Sequence, residues 1–212
     1  YKESGFLPEW ASPGHRDCMV GNNSASVVAD AYIKGLRGYD IETLWEALKH
    51  GANAHLRGTA SGRLGYESYN QLGYVANNIG IGQNVARTLE YAYNDWAIYT
   101  LGKKLGKPES EIDIYKKHAL NYKNVYHPER KLMVGKDNKG VFNPNFDAVD
   151  WSGEFCEGNS WHWSFCVFHD PQGLINLMGG KKEFNAMMDS VFVIPGKLGM
   201  ESRGMIHEMR EM

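Results

Sequence analysis

The densest group of chemically capable side chains in this sequence lies at residues 157–163. The segment consists of Glu, Gly, Asn, Ser, Trp, His and Trp in that order, and His169 follows shortly after it. A carboxyl group can move protons, an amide can bind hydroxyl groups, and a flat indole can pack against the face of a pyranose. This combination indicates a carbohydrate site.

Each of these residues also has an ordinary structural explanation. Asn159 either binds sugar hydroxyls or holds its loop by bonding its own backbone. His162 and His169 either donate to hydroxyl groups or lie in the core with satisfied ring nitrogens. Taken alone, Glu157 is a glutamate in a loop, and most such residues are solvated. The residue types nominate these positions without deciding their roles.

The other aromatic residues fall into two groups. Trp10, Tyr74 and Trp161 lie in predicted loops, where they could stack on a sugar ring. Trp45 and Trp96 recur at helical spacing on apolar faces, so we expect both in the core.

The composition excludes several classes of protein. The chain has 212 residues, of which 42% are hydrophobic, and this is enough to bury a core. Its formal net charge of −2 argues against a nucleic-acid partner, because phosphate binding depends on clustered Lys and Arg. No apolar run approaches the roughly 20 residues of a membrane span. The cysteines and histidines lack zinc-binding spacing, so we predict no metal site formed by this chain alone.

Helical periodicity dominates the elements that must position these residues. Asp40 is a candidate N-cap, and Pro108 suits the first turn of a helix. The longest predicted helix carries Arg87, Glu90 and Asn94 on its polar side. The predicted helices cover residues 24–36, 40–56, 85–102, 108–122, 171–178 and 182–191, and another begins near residue 201.

Long loops rich in Gly, Asn and Tyr separate these helices, at residues 58–82, 136–150 and 151–159. Loops of this length usually carry function. Signals for strands are weak. Helix pairs joined alternately by short and long loops predict an all-α fold and suggest a toroid whose long loops gather on one face.

Eight stretches of the sequence, taken together, resemble glycoside hydrolase family 92, the calcium-dependent exo-acting α-mannosidases. They lie at residues 5–10, 19–22, 29–35, 72–74, 88–96, 157–161, 169–170 and 177–180, in the order of the family. The resemblance implies part of an (α/α)6 toroid, which agrees with the helical pattern. It also implies a mannose-containing oligosaccharide as substrate and a periplasmic or secreted protein.

Within this resemblance, Glu157 matches the general acid of the family. Three aromatic residues flank it in sequence: Phe155, Trp161 and Trp163. We expect them to raise the pKa of its carboxyl group, because apolar surroundings disfavour the charged form. Glu154 is the competing carboxyl group.

Inversion also requires a carboxylate that activates water, roughly 6.5–9.5 Å from the acid. The family's base maps past the end of this chain, so Asp95, Asp150 and Asp170 are not nominated. Asp170 precedes Pro171, and we expect it to cap the helix that follows.

The sequence departs from the family in several places. His162 and Trp163 stand where the family usually has Gln and an aromatic residue, and Asn94 stands where it usually has Asp. The upstream Trp-Asp motif and the downstream Asn-Glu-Pro and Asn-Asp-Asp-x-Gly motifs are absent. We therefore expect residues 1–212 to be a piece of a single catalytic domain, truncated at both ends and inactive without the remainder. Calcium is implied for the complete enzyme, with most of its ligands outside this chain.

Two other functions remain open from the sequence. One is another inverting (α/α)6 glycosidase or a phosphorylase with a different sugar specificity. The other is a helical module that binds glycans without catalysis.

Overall fold

The computed structural model describes residues 1–10 and 14–195. Most of the regular structure is helical, as expected. The helices are α1 (Ser24–Ile33), α2 (Ile41–Ala52), α3 (Tyr66–Leu72), α4 (Asn84–Leu105), α5 (Glu109–His118), α6 (Ser160–Trp163), α7 (Pro171–Leu177) and α8 (Lys181–Val191). A 3-10 helix (Asn121–Val125) precedes two short antiparallel strands, β1 (Tyr126–His127) and β2 (Leu132–Met133). The helix predicted near residue 201 lies outside the described residues.

Helix α2 begins where its capping residue predicts. The Asp40 carboxylate accepts the backbone N–H of Thr43 at 3.0 Å, which satisfies one of the free donors of the first turn. The helix ends at Ala52, before the predicted residue 56. The chain leaves the helix because His55 forms an antiparallel bridge with Gly62.

Helix α4 is the centre of the structure. It contacts α1, α2, α5 and the 3-10 helix. Two residues in the left-handed conformation bound it, Gln83 with φ 58° and Gly106 with φ 72°. Because neighbours cover most of its circumference, α4 can act as a fixed support for the loops at its ends.

The prediction that Trp96 lies in the core is wrong. Trp96 is 38% exposed and stacks on Tyr93 at a ring-centroid distance of 6.1 Å. Asn94, predicted on the polar side, is fully buried. The physical reason is that helices on several sides of α4 decide which residues are covered, so the buried arc differs from the simple apolar stripe.

Other boundaries differ in detail from the predictions. Helix α5 follows Pro108 as expected but stops at His118, and the 3-10 helix continues the chain. Helix α3 was not predicted, because it is short and lies inside the Gly-rich segment 58–82. Left-handed glycines, Gly65 and Gly73, stand at its two ends.

One hydrophobic cluster supports the loop that carries the candidate acid. It joins α4, the 3-10 helix, β1, β2, α7 and the loop at 151–159 through buried side chains, among them Leu89, Tyr122, Met133, Phe155 and Leu174. The loop is therefore packed against the core by its own aromatic residue.

Candidate active site

Glu157 lies in a loop whose neighbouring residues are buried. Phe155 is 2% exposed and Cys156 is 5% exposed, whereas the side chain of Glu157 is exposed. The backbone N–H of Ser152 donates to the carbonyl of Gly158 at 2.9 Å and closes the loop around them. The loop thus presents one carboxyl group outwards from a buried base.

The backbone of Glu157 is in the left-handed region, with φ 46°. For a residue with a Cβ, this conformation costs about 1–2 kcal/mol and persists only where the surroundings impose it. Such residues concentrate at functional sites. Glu157 is one of five described non-glycine residues with this geometry, and Ser152 in the same loop is another.

Asn159 and His162 form a capping box at the start of α6. The Asn159 side-chain oxygen accepts the backbone N–H of Trp161 at 3.0 Å and that of His162 at 3.4 Å. The Nδ1 atom of His162 accepts the backbone N–H of Asn159 at 3.1 Å. Asn159 thus holds its own backbone, one of the two possibilities raised by its position in the sequence.

This contact determines which nitrogen of His162 carries the proton. Since Nδ1 accepts a hydrogen bond, the neutral ring has its proton on Nε2. Burial lowers the pKa of His162, which favours the neutral form. The ring lies edge-on to Trp151, with centroids 5.9 Å apart. His162 can therefore offer an Nε2–H donor of fixed tautomer.

The two indoles of the segment differ in their contacts. Trp163 donates its Nε1–H to the carbonyl of Cys156 at 2.8 Å and packs against Val20 and Ala86. A Cβ on Gly158 would lie 3.1 Å from that indole nitrogen, so glycine permits this close approach. Trp161 is half-buried, with no anchor of this kind among the described contacts.

Serine residues hold α6 against β2. The Ser160 hydroxyl donates to the carbonyl of Met133 at 2.7 Å, and the N–H of Met133 donates to the Ser164 hydroxyl at 2.8 Å. All three residues are buried. The helix that follows Glu157 is thus fixed through its backbone and its side chains.

Glu154 holds the other end of the loop. Its carboxylate accepts N–H bonds from Asn77 at 3.2 Å, Asn143 at 3.3 Å and the backbone of Gly135 at 3.0 Å. Its carbonyl accepts the backbone N–H of Val85 at the start of α4. Sequence reasoning considered Glu154 only as a rival acid and missed this function, because its partners come from distant loops.

The electrostatic neighbours of Cys156 show what lies near Glu157. Burial raises the pKa of the Cys156 thiol, and the charge of Glu157 raises it further. Arg87 on α4 lowers this pKa, whereas Glu90 on α4 and Cys18 raise it slightly. Cys18 lines a cavity of about 500 Å³ together with Trp10, Arg16 and Asp17. Trp10 is 47% exposed. Val20, two residues after Cys18, lies in a buried cluster with Ala86 and Cys156, so this segment lies beside the Glu157 loop.

Two further carboxyl groups lie between the N-terminal segment and α4. Glu9 accepts hydrogen bonds from Asn22 and from the N–H of Ser24, at 2.7 and 3.0 Å. Glu90 accepts from Asn23 at 3.0 Å. Burial raises the pKa of both glutamates despite these bonds. Both glutamates lie within stretches that carry the family resemblance. The resemblance could therefore have nominated them as candidate site residues.

His169 belongs to a different cluster. Its Nε2 lies 2.7 Å from the carbonyl of Ala119, so it donates there. Its ring contacts those of Tyr93, Trp96 and Tyr122, with centroids 5.7–6.3 Å apart. These contacts join it to α4 and to the end of α5. The geometry gives His169 a structural partner, and its role in binding substrate stays a prediction.

The aspartates that the sequence left unnominated have structural partners. Asp95 is fully buried and pairs with Arg63 at 2.8 Å. Asp170 caps α7, as expected, by accepting the N–H of Gly173 at 2.9 Å, and it also accepts the Tyr122 hydroxyl at 2.8 Å. Neither carboxylate is therefore placed to activate water.

The side chains that most often bind metal ions are not clustered in the described part of the chain. Among residues 1–10 and 14–195, no three Asp, Glu, His or Cys side chains are grouped so that they could hold a metal ion.

Comparison with known proteins identifies relatives along the whole chain. Residues 1–211 match the family described as the glycosyl hydrolase family 92 catalytic domain. A protein of Arthroderma benhamiae named as an uncharacterized secreted glycosidase is 30% identical over an alignment of 222 residues. The match covers 89% of this chain and 28% of that protein.

Two solved structures from Bacteroides thetaiotaomicron share the fold. The family GH92 inverting mannosidase BT2199 is 48% identical, with a TM-score of 0.86, over 100% of this chain and 29% of that one. The family GH92 α-mannosidase BT3965 is 35% identical, with a TM-score of 0.75, over 84% of this chain and 22% of that one. The chain thus spans less than a third of the length of these relatives. In the part of the chain that the structure describes, no helix has both the length and the apolar character needed to cross a bilayer.

Proposed function

This chain belongs to the glycosyl hydrolase family 92 catalytic-domain family, and we propose that it forms part of an exo-α-mannosidase that hydrolyses mannose-containing glycans with inversion. The observation that carries the proposal is the exposed Glu157 carboxyl group on a left-handed backbone, in a loop fixed at both ends. The relatives named as mannosidases support the choice of sugar.

In this proposal Glu157 is the general acid. It gives a proton to the glycosidic oxygen as the bond to the leaving group breaks, while a carboxylate on the opposite face of the sugar activates water. We assign that second carboxylate to the remainder of the domain, where the family resemblance places it, and Asp95 and Asp170 are engaged elsewhere. The chain alone is therefore inactive.

The sugar contacts are assigned to the side chains around Glu157. His162 donates through Nε2–H to a hydroxyl group. Trp161 and Trp10 offer aromatic faces. The side-chain oxygen of Asn159 caps α6, so its NH2 group is the part available to the sugar. His169 is assigned a contact with the sugar from the cluster that joins α4 to the end of α5.

The larger architecture is proposed from the mostly helical structure and from the relatives. The chain forms part of a single (α/α)6 toroid completed by the rest of the protein. Calcium acts in that complete enzyme, held mainly by residues outside this chain.

The protein is secreted or periplasmic, in agreement with the relative named as secreted. Its partners are the glycan and the remainder of its own domain, and the net charge of −2 does not favour nucleic acid.

The test uses the full-length enzyme with an aryl α-mannoside and α-1,2-mannobiose, first with calcium and then with chelator. We expect calcium-dependent release of mannose. Glu157→Gln should lower kcat on the order of 10²–10⁴-fold for mannobiose, and far less for an aryl mannoside whose leaving group needs no protonation.

Two results would replace this proposal. Release of glucose from an aryl α-glucoside, without release of mannose, would favour another inverting toroid enzyme or a phosphorylase. Glycan binding without hydrolysis, unchanged by Glu157→Gln, would favour a non-catalytic module.

A further inference from the structure

We propose that Glu154 is the positioning residue for Glu157. Glu154 holds the loop, and Glu157, three residues later, reacts with the substrate. The inference rests on the proposed function, because it assigns Glu154 its effect through the general acid. Glu154 contacts the start of α4 and two distant loops.

The backbone at Glu154 is joined to the start of α4. The carbonyl of Glu154 accepts the N–H groups of Val85 at 3.0 Å and Ala86 at 3.2 Å, and the carbonyl of Gly153 accepts that of Gln83 at 2.7 Å. The first N–H groups of a helix have no partner within it, so these carbonyls supply an acceptor that the helix requires. The loop thus docks on the most buried helix of the structure.

The side chain of Glu154 joins the loop to two others. Its Oε1 accepts from Asn77 and Asn143, and its Oε2 accepts from the backbone of Gly135. Both oxygens are occupied, and every partner is an N–H donor. Charge-assisted bonds of this kind are stronger than neutral ones.

This occupancy separates the roles of the two acids. A general acid must carry a proton and present it to the substrate. At Glu154 three N–H groups already occupy the two oxygens, so neither oxygen is free to approach a substrate. Glu157 is exposed instead. Glu154 is therefore excluded as the proton donor and retained as a support.

Gly135 has a steric part in the arrangement. A Cβ built on Gly135 would lie 2.1 Å from Oε1 of Glu154 and 2.7 Å from Nδ2 of Asn84. Its φ lies outside the left-handed region that favours glycine. Alanine at this position can therefore adopt the backbone, but it has to displace the carboxylate.

The position of Glu157 depends on this support. On its C-terminal side the capping box and α6 hold the chain; on its N-terminal side Phe155 packs in the core, and Glu154 makes the nearest side-chain hydrogen bonds to other loops. Loss of those bonds leaves this end held by Phe155 and by backbone contacts, and we expect the Glu157 carboxyl group to shift from its place. A displacement near 1 Å can lower the rate roughly 100-fold.

The experiment compares Glu154→Ala with Glu157→Gln in the full-length enzyme, on aryl α-mannosides with good and poor leaving groups. If Glu154 acts through the acid, Glu154→Ala lowers kcat roughly 100-fold for the poor leaving group and only a few-fold for the good one. Glu154→Gln, which keeps one oxygen acceptor, should recover part of the loss.

Milder variants keep the test decisive if Glu154→Ala fails to fold. Asn77→Ala removes one donor to Glu154, and Asn78→Ala is its matched control, because Asn78 is exposed and pairs with Asn138. Gly135→Ala displaces the carboxylate without removing it. We expect Asn77→Ala and Gly135→Ala to show the leaving-group dependence and Asn78→Ala to match the wild type.

The outcomes separate this inference from the proposed function. A leaving-group signature for Glu157→Gln, combined with equal losses on both substrates for the Glu154, Asn77 and Gly135 variants, overturns the role of Glu154 alone. Wild-type rates in those variants overturn it as well. If Glu157→Gln itself has no effect, the proposed function fails first.

Discussion

Asn159 and His162 cap the same turn in opposite directions: the amide oxygen accepts N–H groups inside α6, and the imidazole Nδ1 accepts the N–H of Asn159. Two residues that the sequence nominates as sugar ligands are thus engaged by the protein itself. Only what remains of each side chain is available to a ligand, and for His162 that is Nε2–H.

Replacement of Asn159 separates its two roles. Asn159→Ala removes the cap, and we expect a cost of about 1 kcal/mol in the local stability of α6. Asn159→Asp keeps the capping oxygen and should preserve that stability. Hydrogen exchange of the Trp161 and His162 amides measures the cap, and KM measures sugar binding. A raised KM in Asn159→Asp, with normal exchange, would assign the amide nitrogen to the sugar.

Protonation of His162 should destabilise the site. Burial lowers its pKa below the ordinary 6.5, so between the two values the unfolded chain binds a proton that the folded chain does not. Its contribution to stability is complete above about pH 6.5 and decreases as the pH falls towards the folded pKa.

His162→Gln tests this dependence, because Gln can accept the same N–H but does not titrate. Urea unfolding of both proteins at pH 7.5 and pH 5 should show the wild type losing more stability than the variant on acidification. A difference between the two proteins that does not change with pH would contradict the assignment.

The buried pair of Arg63 and Asp95 should be sensitive to the loss of one partner. Both side chains are at most 1% exposed, and the Tyr69 hydroxyl donates to Asp95 at 2.9 Å. Asp95→Ala leaves a buried guanidinium without its counter-charge, and we expect a loss of about 3–5 kcal/mol in the free energy of unfolding. The control is Asp30→Ala, which breaks the exposed pair with Lys34 and should change little.

The carboxylate of Asp170 serves two partners, so its removal should cost more than a cap alone. Asp170→Ala loses the bond to the N–H of Gly173, worth about 1 kcal/mol, and leaves the Tyr122 hydroxyl without its acceptor. Tyr122→Phe removes only the second bond. Urea midpoints should rank the wild type above Tyr122→Phe, and that variant above Asp170→Ala. An Asp170→Ala midpoint equal to that of Tyr122→Phe would show that the cap is dispensable.

The sequence predicts helix starts where a local signal marks them. Asp40, Pro108 and Asp170 mark the starts of α2, α5 and α7 through contacts within a few residues, and such contacts can be read locally. The exposure of Trp96 depends instead on which helices surround α4. That is a tertiary property, and a periodic pattern does not contain it.

The candidate site divides in the same way. The residue types and the family resemblance suffice to nominate Glu157. The function of Glu154 depends on contacts with Asn77, Gly135 and Asn143, up to 77 positions away in the chain. Local reasoning can recognise a carboxyl group there, but it cannot recognise three converging donors.

The close approach of Gly135 and Glu154 has a consequence for the history of this family. Since a methyl group at position 135 and a long acid at 154 compete for the same space, a side chain at 135 is disfavoured while the glutamate stays. In related sequences, a side chain at 135 should therefore accompany the loss of the glutamate at 154, whereas glycine at 135 should be compatible with either residue at 154.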